Sequence, residues 1–442
     1  MGKIKTLTDV VDWRLCIGCG VCAYICPENR IQLLDYVAEG IRPNVDTSDC
    51  KDCTLCLDAC PSVQTDFTPF APAANDKPKD VPATATDFTQ NWGQVLEVWE
   101  GHAADPEIRY KGSSGGVLTA LAAYCVEKAG MAGVLHTGQD PEEPFLNRTR
   151  LSLNRQDLIA ASGSRYAPAS VCNGLNLVEQ ASAPCAIIGQ PSEIAALTNA
   201  RRLKPELDQK IGVTMSFFCA GSPPTKATTN LLKERGIEPS SIASLRYRGL
   251  GWPGHFAPMM PGQSEPAFKL TYSESWAILQ ASRPWSVQLW PDSSGELADI
   301  SCGDPWYFQP DGVNPGSSLV LVRTQRGREI LQGAIADGYV ELKPAEAWKV
   351  EKSQSGLWKK KGAVWGRRFS VRLLGLPYTR FRNNHLFACW WRIEMRDKIR
   401  SVLGTLRRLV QRKFYRPLVL DRKSAAPVKT AVVASELLKT SK

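Results

Sequence analysis

The chain has 442 residues, 43 % hydrophobic and 22 % charged, the balance of an ordinary soluble protein with room for two or three domains. No apolar run reaches the roughly 18–20 residues that cross a bilayer, and the opening MGKIKT lacks the apolar stretch of a secretory signal; it fits a myristoylation pattern only formally. A cytoplasmic protein is expected. The net charge of +10 is unevenly placed, because residues 351–442 hold 23 Lys/Arg against 5 Asp/Glu, a net of +18 that leaves −8 for the first 350. A mildly acidic body and a basic tail need separate explanations.

In chain order, residues 1–61 form a cysteine-rich unit. Eight of the 14 cysteines fall between Cys16 and Cys60 and the other six are scattered, a distribution that argues for metal rather than a disulfide scaffold. The runs are Cys16-x2-Cys19-x2-Cys22-x3-Cys26-Pro27 and Cys50-x2-Cys53-x2-Cys56-x3-Cys60-Pro61. This is the spacing of bacterial two-cluster ferredoxins, in which the fourth cysteine of each run serves the other cluster. Cys16, Cys19, Cys22 and Cys60 are therefore expected to hold one [4Fe–4S] cluster, and Cys50, Cys53, Cys56 and Cys26 the other. Gly18 and Gly20 would relieve crowding near sulfur. Zinc is the alternative, but zinc ribbons use two separated pairs rather than three short spacings followed by Cys-Pro.

Residues 62–92, rich in Pro, Ala, Thr and Asp, read as an extended linker. From 93 to 350 the pattern becomes α/β. A helix is predicted over 115–130 and strands over 134–138, 183–189, 211–221 and 318–324, giving a mixed sheet covered by helices. The loop Lys111-Gly112-Ser113-Ser114-Gly115-Gly116 stands before the first of these helices, a recipe for a phosphate site or for a plain N-cap with close helix packing. Residues 351–416 are a basic helical extension in which 386–415 predicts one long helix. Residues 417–442 read as a disordered tail. The fold class is α+β: a small two-cluster ferredoxin-like domain, a larger α/β domain with a mixed sheet, and a basic C-terminal helix.

Seven stretches in order, GSSGGVLTAL (112–121), GSRYAPA (163–169), IIGQPSEIAAL (187–197), FFCAG (217–221), RYRGLGWPG (246–254), ADISCGDPWY (298–307) and PGSSLVLVRTQRG (315–327), resemble the coenzyme F-420 hydrogenase/dehydrogenase beta-subunit family, to which hydroxymethyl-chlorophyll reductase is related. The resemblance implies that the α/β domain is flavin-binding and holds a non-covalent FAD, with Ser113, Ser114, Gly115 and Gly116 cradling its pyrophosphate and Ser164, Arg165 and Tyr166 lining the flavin, where Arg165 could stabilise a reduced anionic ring. Coenzyme F-420 is a further implied cofactor. Arg246, Arg248, Trp252, Asp299 and Asp304 are candidate pocket walls; Asp304 could instead cap a turn, and Trp252 could be core. Many members carry thiols where this chain has Ser192, Val287 and Trp290, and only Cys219 survives, so a third cluster at those positions is not expected.

In the tail, Leu386, Trp390, Ile393, Ile399, Val402, Leu406 and Leu409 suggest an apolar face, with Arg396, Arg400, Arg407 and Arg408 mostly elsewhere. An interfacial membrane helix at the inner face of the membrane, a helix packed on the body, and an acidic partner such as a ferredoxin are all open. Nucleic acid is disfavoured for want of a stacking platform or a binding module. The expected function is an iron–sulfur flavoprotein oxidoreductase joining a ferredoxin-type or deazaflavin donor to a substrate, with a redox protein as partner. The alternative is a non-enzymatic electron-transfer subunit of a larger complex. None of His102, His136, His255 and His385 falls in a motif that names an acid–base catalyst.

Overall fold

A computed structural model describes residues 4–46, 50, 53–69, 86–421 and 425–437. The cysteine-rich unit begins with helix Leu7–Asp12, held by a reciprocal cap: Thr6 Oγ1 accepts the Asp9 N–H and the Asp9 carboxylate accepts the Thr6 N–H. The antiparallel hairpin Ile31–Tyr36 and Gly40–Val45 follows the first cysteine run.

The body is built on a sheet with nine strands among the described residues. In spatial order these are Val340–Pro344, Glu97–Ala103, Ser318–Val322, Ile300–Gly303, Ile211–Phe217, Cys185–Gly189, Val134–Gln139, Asn147–Ser152 and Val432–Val433. The four from Ile300–Gly303 to Val134–Gln139 run parallel, and antiparallel neighbours flank them on both sides. Val134, Leu135, Ala186, Ile187, Val213 and Met215 are all fully buried, because strands covered on both faces carry continuous apolar runs rather than alternation. Helix Val117–Glu127 lies in the same core, with Val117, Leu121 and Cys125 buried. The result is an α+β molecule with a large mixed sheet.

Three sequence expectations change here. In the span read as linker, 70–85 lies outside the described residues; at its ends, Gln64–Asp66 is a strand paired with Arg380–Arg382, and Thr86–Trp92 is a helix that buries Phe88 and Trp92. The long helix over 386–415 is two helices, Leu386–Arg392 and Met395–Gln411, broken where Ile393 takes an extended conformation. The tail read as disordered contains ordered structure. Ala425–Pro427 pairs with Ile31–Tyr36, Val432–Val433 adds to the edge of the large sheet, and the Lys429 ammonium reaches Asp140 and Glu142 at 2.9 Å each. Each strand is too short to declare itself locally, and pairing with an existing edge makes it.

The Lys/Arg-rich stretch after 350 is helix Ser355–Leu373. It packs against the body, and Lys361 forms a buried 2.7 Å ion pair with Glu296. Among the described residues, no helix is long and apolar enough to cross a membrane.

Candidate functional site: two thiol sets beside a cavity

The eight cysteines divide by neighbourhood. Cys16, Cys19, Cys22 and Cys60 are buried, Cys26 and Cys56 are half-buried, and Cys50 and Cys53 are exposed. Cys60 stands near Cys16, and Cys22 near both Cys16 and Cys60, while Cys56 is surrounded by Cys53, Cys26 and Cys50. Cys56 also faces Cys22 and Cys60, so the sets adjoin. Burial, with the neighbouring thiols adding to it, pushes Cys19 and Cys22 far above the usual thiol range, and burial pushes Cys60 to about 12. Such thiols become thiolates only beside a compensating cation, which iron would supply. Among the described residues no three His, Cys, Asp or Glu side chains converge on a point that would hold a single ion.

Gly18 and Gly20 also pack against neighbouring backbone. A Cβ on Gly18 would stand 2.8 Å from the Ile41 carbonyl, and one on Gly20 would stand 2.9 Å from the Asn173 nitrogen. Both glycines are thus crowded, Gly18 by the hairpin and Gly20 by the α/β body. That body holds the first thiol loop directly: Cys172 N–H donates to the Cys19 carbonyl at 3.1 Å. The next residue back, Val171, donates its N–H to Glu193 Oε1 at 2.9 Å, and Glu193 Oε2 accepts the Gln190 N–H at 2.8 Å. Burial outweighs these two hydrogen bonds and raises Glu193 to about 7.

Glu193 belongs to the wall of a cavity of about 440 Å³. The cavity opens at the carboxyl ends of the parallel strands, beside Gly189, Phe217 and Gly303, where open α/β sheets place ligands. Its opposite wall is the 112–116 loop. Gly116 caps helix Val117–Glu127 at φ +73° with no side-chain cap, so the free amides of the first turn face the cavity through Val117, Leu118 and Thr119. An uncapped helix start on a roomy cavity fits a phosphate. Ser113, Ser114 and Gly116 line it. Gly115 does not: a Cβ there would lie 2.7 Å from the Gly101 carbonyl, and its N–H donates to Ser318 Oγ at 2.9 Å. Gly115 thus serves close helix–sheet packing.

Ser164, Arg165 and Tyr166 line the same cavity, and the Ser164 N–H donates to Ser113 Oγ at 2.6 Å. Arg165 has no donor to spare. Its five N–H groups go to Asn147, Gln139, Leu245, Pro144 and Leu146, which makes it a loop-positioning group rather than one free to stabilise a ring anion. The cation facing the cavity is Arg248. It grips Asp304 with two N–H groups at 2.9 and 2.7 Å and donates to the Ser113 carbonyl. Burial opposes its charge, but the Asp304 carboxylate together with the neighbouring Tyr166 and Tyr272 outweighs burial and keeps Arg248 firmly protonated. Trp252 lies behind this pair and donates to Asp304 at 3.1 Å. Arg246 ties Lys111 and Ser162 carbonyls outside the lining. Asp299 lies away from the cavity, accepting from Thr214 and Thr324.

Sequence reasoning missed the aromatic wall. Tyr272 and Trp306 stack at 5.2 Å with 7° between their planes, the Arg248 guanidinium sits 4.5 Å above Tyr272, and Trp276 packs 4.9 Å from Tyr166. Tyr272 and Trp276 share one face of helix Tyr272–Leu279 at i,i+4 spacing, a local signal that was available, whereas Tyr166 and Trp306 come from segments distant in sequence. His136 also lines the cavity, bonded to Ser152 Oγ at 2.8 Å. Burial and then Arg150 lower it to about 4, so it is neutral near pH 7.

Ser192, Cys219, Val287 and Trp290 do come together. They line a smaller cavity of about 50 Å³ between Gly18 of the first thiol loop and the large cavity, with which it shares Gln190, Cys219 and Ser222. One thiol among these four positions cannot hold a cubane, so this set does not fit a third cluster. Lys360, from the C-terminal helix, lines this space and donates to Ser293 Oγ at 3.1 Å.

Comparison with known proteins follows the same division. The beta-subunit N-terminal model of coenzyme F420 hydrogenase/dehydrogenase matches residues 98–176, and the C-terminal model of the same family matches 183–347. The chain belongs to this family. Residues 15–63 match a 4Fe-4S dicluster domain, so the F420 hydrogenase/dehydrogenase beta-subunit body here carries an iron–sulfur unit at its N-terminal side. The coenzyme F420 hydrogenase subunit beta of Methanosarcina barkeri is 23 % identical over 279 residues, 58 % of this chain and 84 % of that protein. The F420-dependent formate dehydrogenase 1 subunit beta of Methanococcus maripaludis is 25 % identical over 251 residues, 56 % of this chain and 61 % of that one. The coenzyme F420-dependent sulfite reductase of Methanocaldococcus jannaschii is 23 % identical over 339 residues, 73 % and 46 % of the two chains. A chain of the F420-reducing [NiFe] hydrogenase complex from Methanosarcina barkeri superposes with a TM-score of 0.48 at 20 % identity, covering 66 % of this chain and 97 % of its own.

Proposed function

We propose that the protein is a cytoplasmic iron–sulfur flavoprotein oxidoreductase that links a ferredoxin-type or deazaflavin (coenzyme F-420) donor to a substrate through two [4Fe–4S] clusters and one FAD. The observation that carries the reading is the short covalent and hydrogen-bonded route from Cys19 through Cys172, Val171 and Glu193 to the wall of the large cavity. Iron–sulfur clusters move single electrons and a flavin, when bound, exchanges them for pairs.

The chain's own residues supply the rest. The exposed Cys50 and Cys53 mark the side on which a redox partner protein would dock. Cys16, Cys19, Cys22 and Cys60 would hold the inner cluster against the body. The amides at the start of helix Val117–Glu127 would bind the pyrophosphate side of the cofactor, and Arg248, paired with Asp304, would hold the Ser113 loop in place. Tyr166, Tyr272 and Trp306 would exclude water and support a flat ring. Arg165 would hold the loops that shape this wall.

Anaerobic purification followed by iron and flavin analysis tests the reading. About eight irons and one FAD per chain are expected after reconstitution. Eight irons with no flavin, even after added FAD, would replace the enzyme with a non-enzymatic electron-transfer subunit. Fewer than about six irons would count against the paired clusters.

A further inference from the structure

Helix Met395–Gln411 packs on the body along a narrow strip and leaves several large apolar side chains outside. Its buried residues are Ser401, Thr405 and Leu409, whereas Met395, Ile399, Leu403 and Val410 are 66, 53, 60 and 61 % exposed. The small inward residues let it approach helix Ser355–Leu373 closely: a Cβ on Gly366 would fall 2.1 Å from Ser401 Oγ. Residues 395, 399 and 403 recur every fourth position and so share one face. Trp391, 65 % exposed on the preceding helix, adds an aromatic ring, with the Lys398 ammonium 4.9 Å from its centre.

The flank of this apolar face is cationic. Residues 395–412 contain six Lys/Arg and one Asp, and Arg396, Arg400 and Arg407 are exposed. Around Arg400 the neighbouring charges are arginines: Arg367 and Arg408 are depressed first by burial and then by nearby arginines that include Arg400. A surplus of positive charge beside large apolar side chains calls for an occupant that is apolar and anionic. Neither cavity described above is lined by a residue of 386–411. The face presents large apolar side chains flanked by arginines. A ridge of Trp, Met, Ile, Leu and Val bordered by Arg and Lys is the form of a helix lying in a bilayer interface.

We infer that the exposed face of Met395–Gln411, with Trp391, seats the protein on the surface of an anionic lipid bilayer, apolar side chains at the acyl boundary and Arg400 and Arg407 on lipid phosphates. This inference is independent of the redox reading, since no residue of the face touches a thiol set or the large cavity.

The test uses the full chain purified anaerobically and floated with vesicles of phosphatidylcholine alone or with about 30 % phosphatidylserine. Binding about tenfold tighter to the anionic vesicles, and weakened by salt, is expected. Paired Ile399→Glu and Leu403→Glu should lower that binding at least tenfold, about the effect of placing two charges in an apolar interface. Paired Arg400→Gln and Arg407→Gln should erase the preference for phosphatidylserine. All four positions are exposed, so iron content and melting temperature should hold; if the glutamate pair fails to fold, Trp391→Ser gives the same reading. No flotation with either vesicle, or flotation unchanged by the glutamate pair, overturns the inference. So does a dimer in sedimentation velocity that the glutamate pair dissolves without any vesicle binding, because a second copy would then cover the face.

Discussion

Cys172 donates its backbone N–H to the carbonyl of Cys19 at 3.1 Å, so the sheet-based body holds the first thiol loop by its main chain. Gly20, next along that loop, sits at φ +85° with the Asn173 nitrogen where a Cβ would need to be. The body and the cysteine-rich unit are thus fitted to each other at the point where electrons would cross.

Gly20→Ala should therefore cost about 2–4 kcal/mol, the left-handed backbone and the main-chain clash adding together. Gly130→Ala is the control. Its φ is +69° with nothing within 4 Å of the added carbon, so only the conformational cost of about 1 kcal/mol applies. Chemical denaturation of both variants separates the two effects, and only Gly20→Ala should also lose iron.

Asp304 is the counter-charge that keeps Arg248 buried and ionised. Asp304→Asn should cost about 3–5 kcal/mol, since removing one partner strands the other charge. Flavin retention on a desalting column should fall in the same variant. Trp252→Phe removes a 3.1 Å hydrogen bond to Asp304 and part of a buried ring packed against Trp306 and Phe308, and should cost about 2–3 kcal/mol.

Glu193 gives a pH dependence with a definite sign. Its value is about 7 in the folded protein against 4.5 as an ordinary side chain. The folded state therefore holds the proton more tightly, a contribution fully present below pH 4.5 and lost as pH rises through 7. The loss should amount to about 3 kcal/mol across that window. Glu193→Gln should flatten this part of the stability–pH curve, at a constant cost of about 1–2 kcal/mol for the Val171 or Gln190 N–H left without an acceptor. Denaturation midpoints between pH 4.5 and 8 measure it; an unchanged slope would mean that Glu193 is ionised throughout.

The basic helix after 350 is part of the body, not an appendage. Lys361 and Glu296 meet at 2.7 Å with 3 and 4 % of their side chains exposed. Lys361→Met should cost about 3–5 kcal/mol, whereas Lys361→Met combined with Glu296→Leu should recover most of it. Thermal melts of the single and double variants give the comparison.

How much of this could be read in the sequence depended on whether the signal was local. The thiol runs declare themselves because cluster ligation fixes the spacing itself. The strands Val134–Gln139, Cys185–Gly189, Ile211–Phe217 and Ser318–Val322 were each foreshadowed by an apolar run, within a few residues at the ends. The loop before Val117 was legible as small residues, but not which of its glycines faces the cavity. Tyr272 and Trp276 are an i,i+4 pair on helix Tyr272–Leu279, but their meeting with Trp306 and Tyr166 was invisible, since only the folded sheet brings those distant segments together. The tail was misread for the same reason: Ala425–Pro427 becomes a strand only against Leu34 and its neighbours. The surroundings of helix Met395–Gln411 stayed open in the sequence, because its apolar residues suit a packed helix and an interfacial one alike; Gly366 opposite Ser401 shows which side packs on the body.

An anaerobic dithionite titration followed at once by flavin absorbance and cluster absorbance tests the central claim most directly. The account predicts about four electrons per chain, two taken up by clusters and two by the flavin, with flavin reduction slowed in a Cys19→Ser variant that retains FAD. Uptake of about two electrons with no change in a flavin band, or flavin reduction at an unaltered rate without the inner cluster, would contradict it.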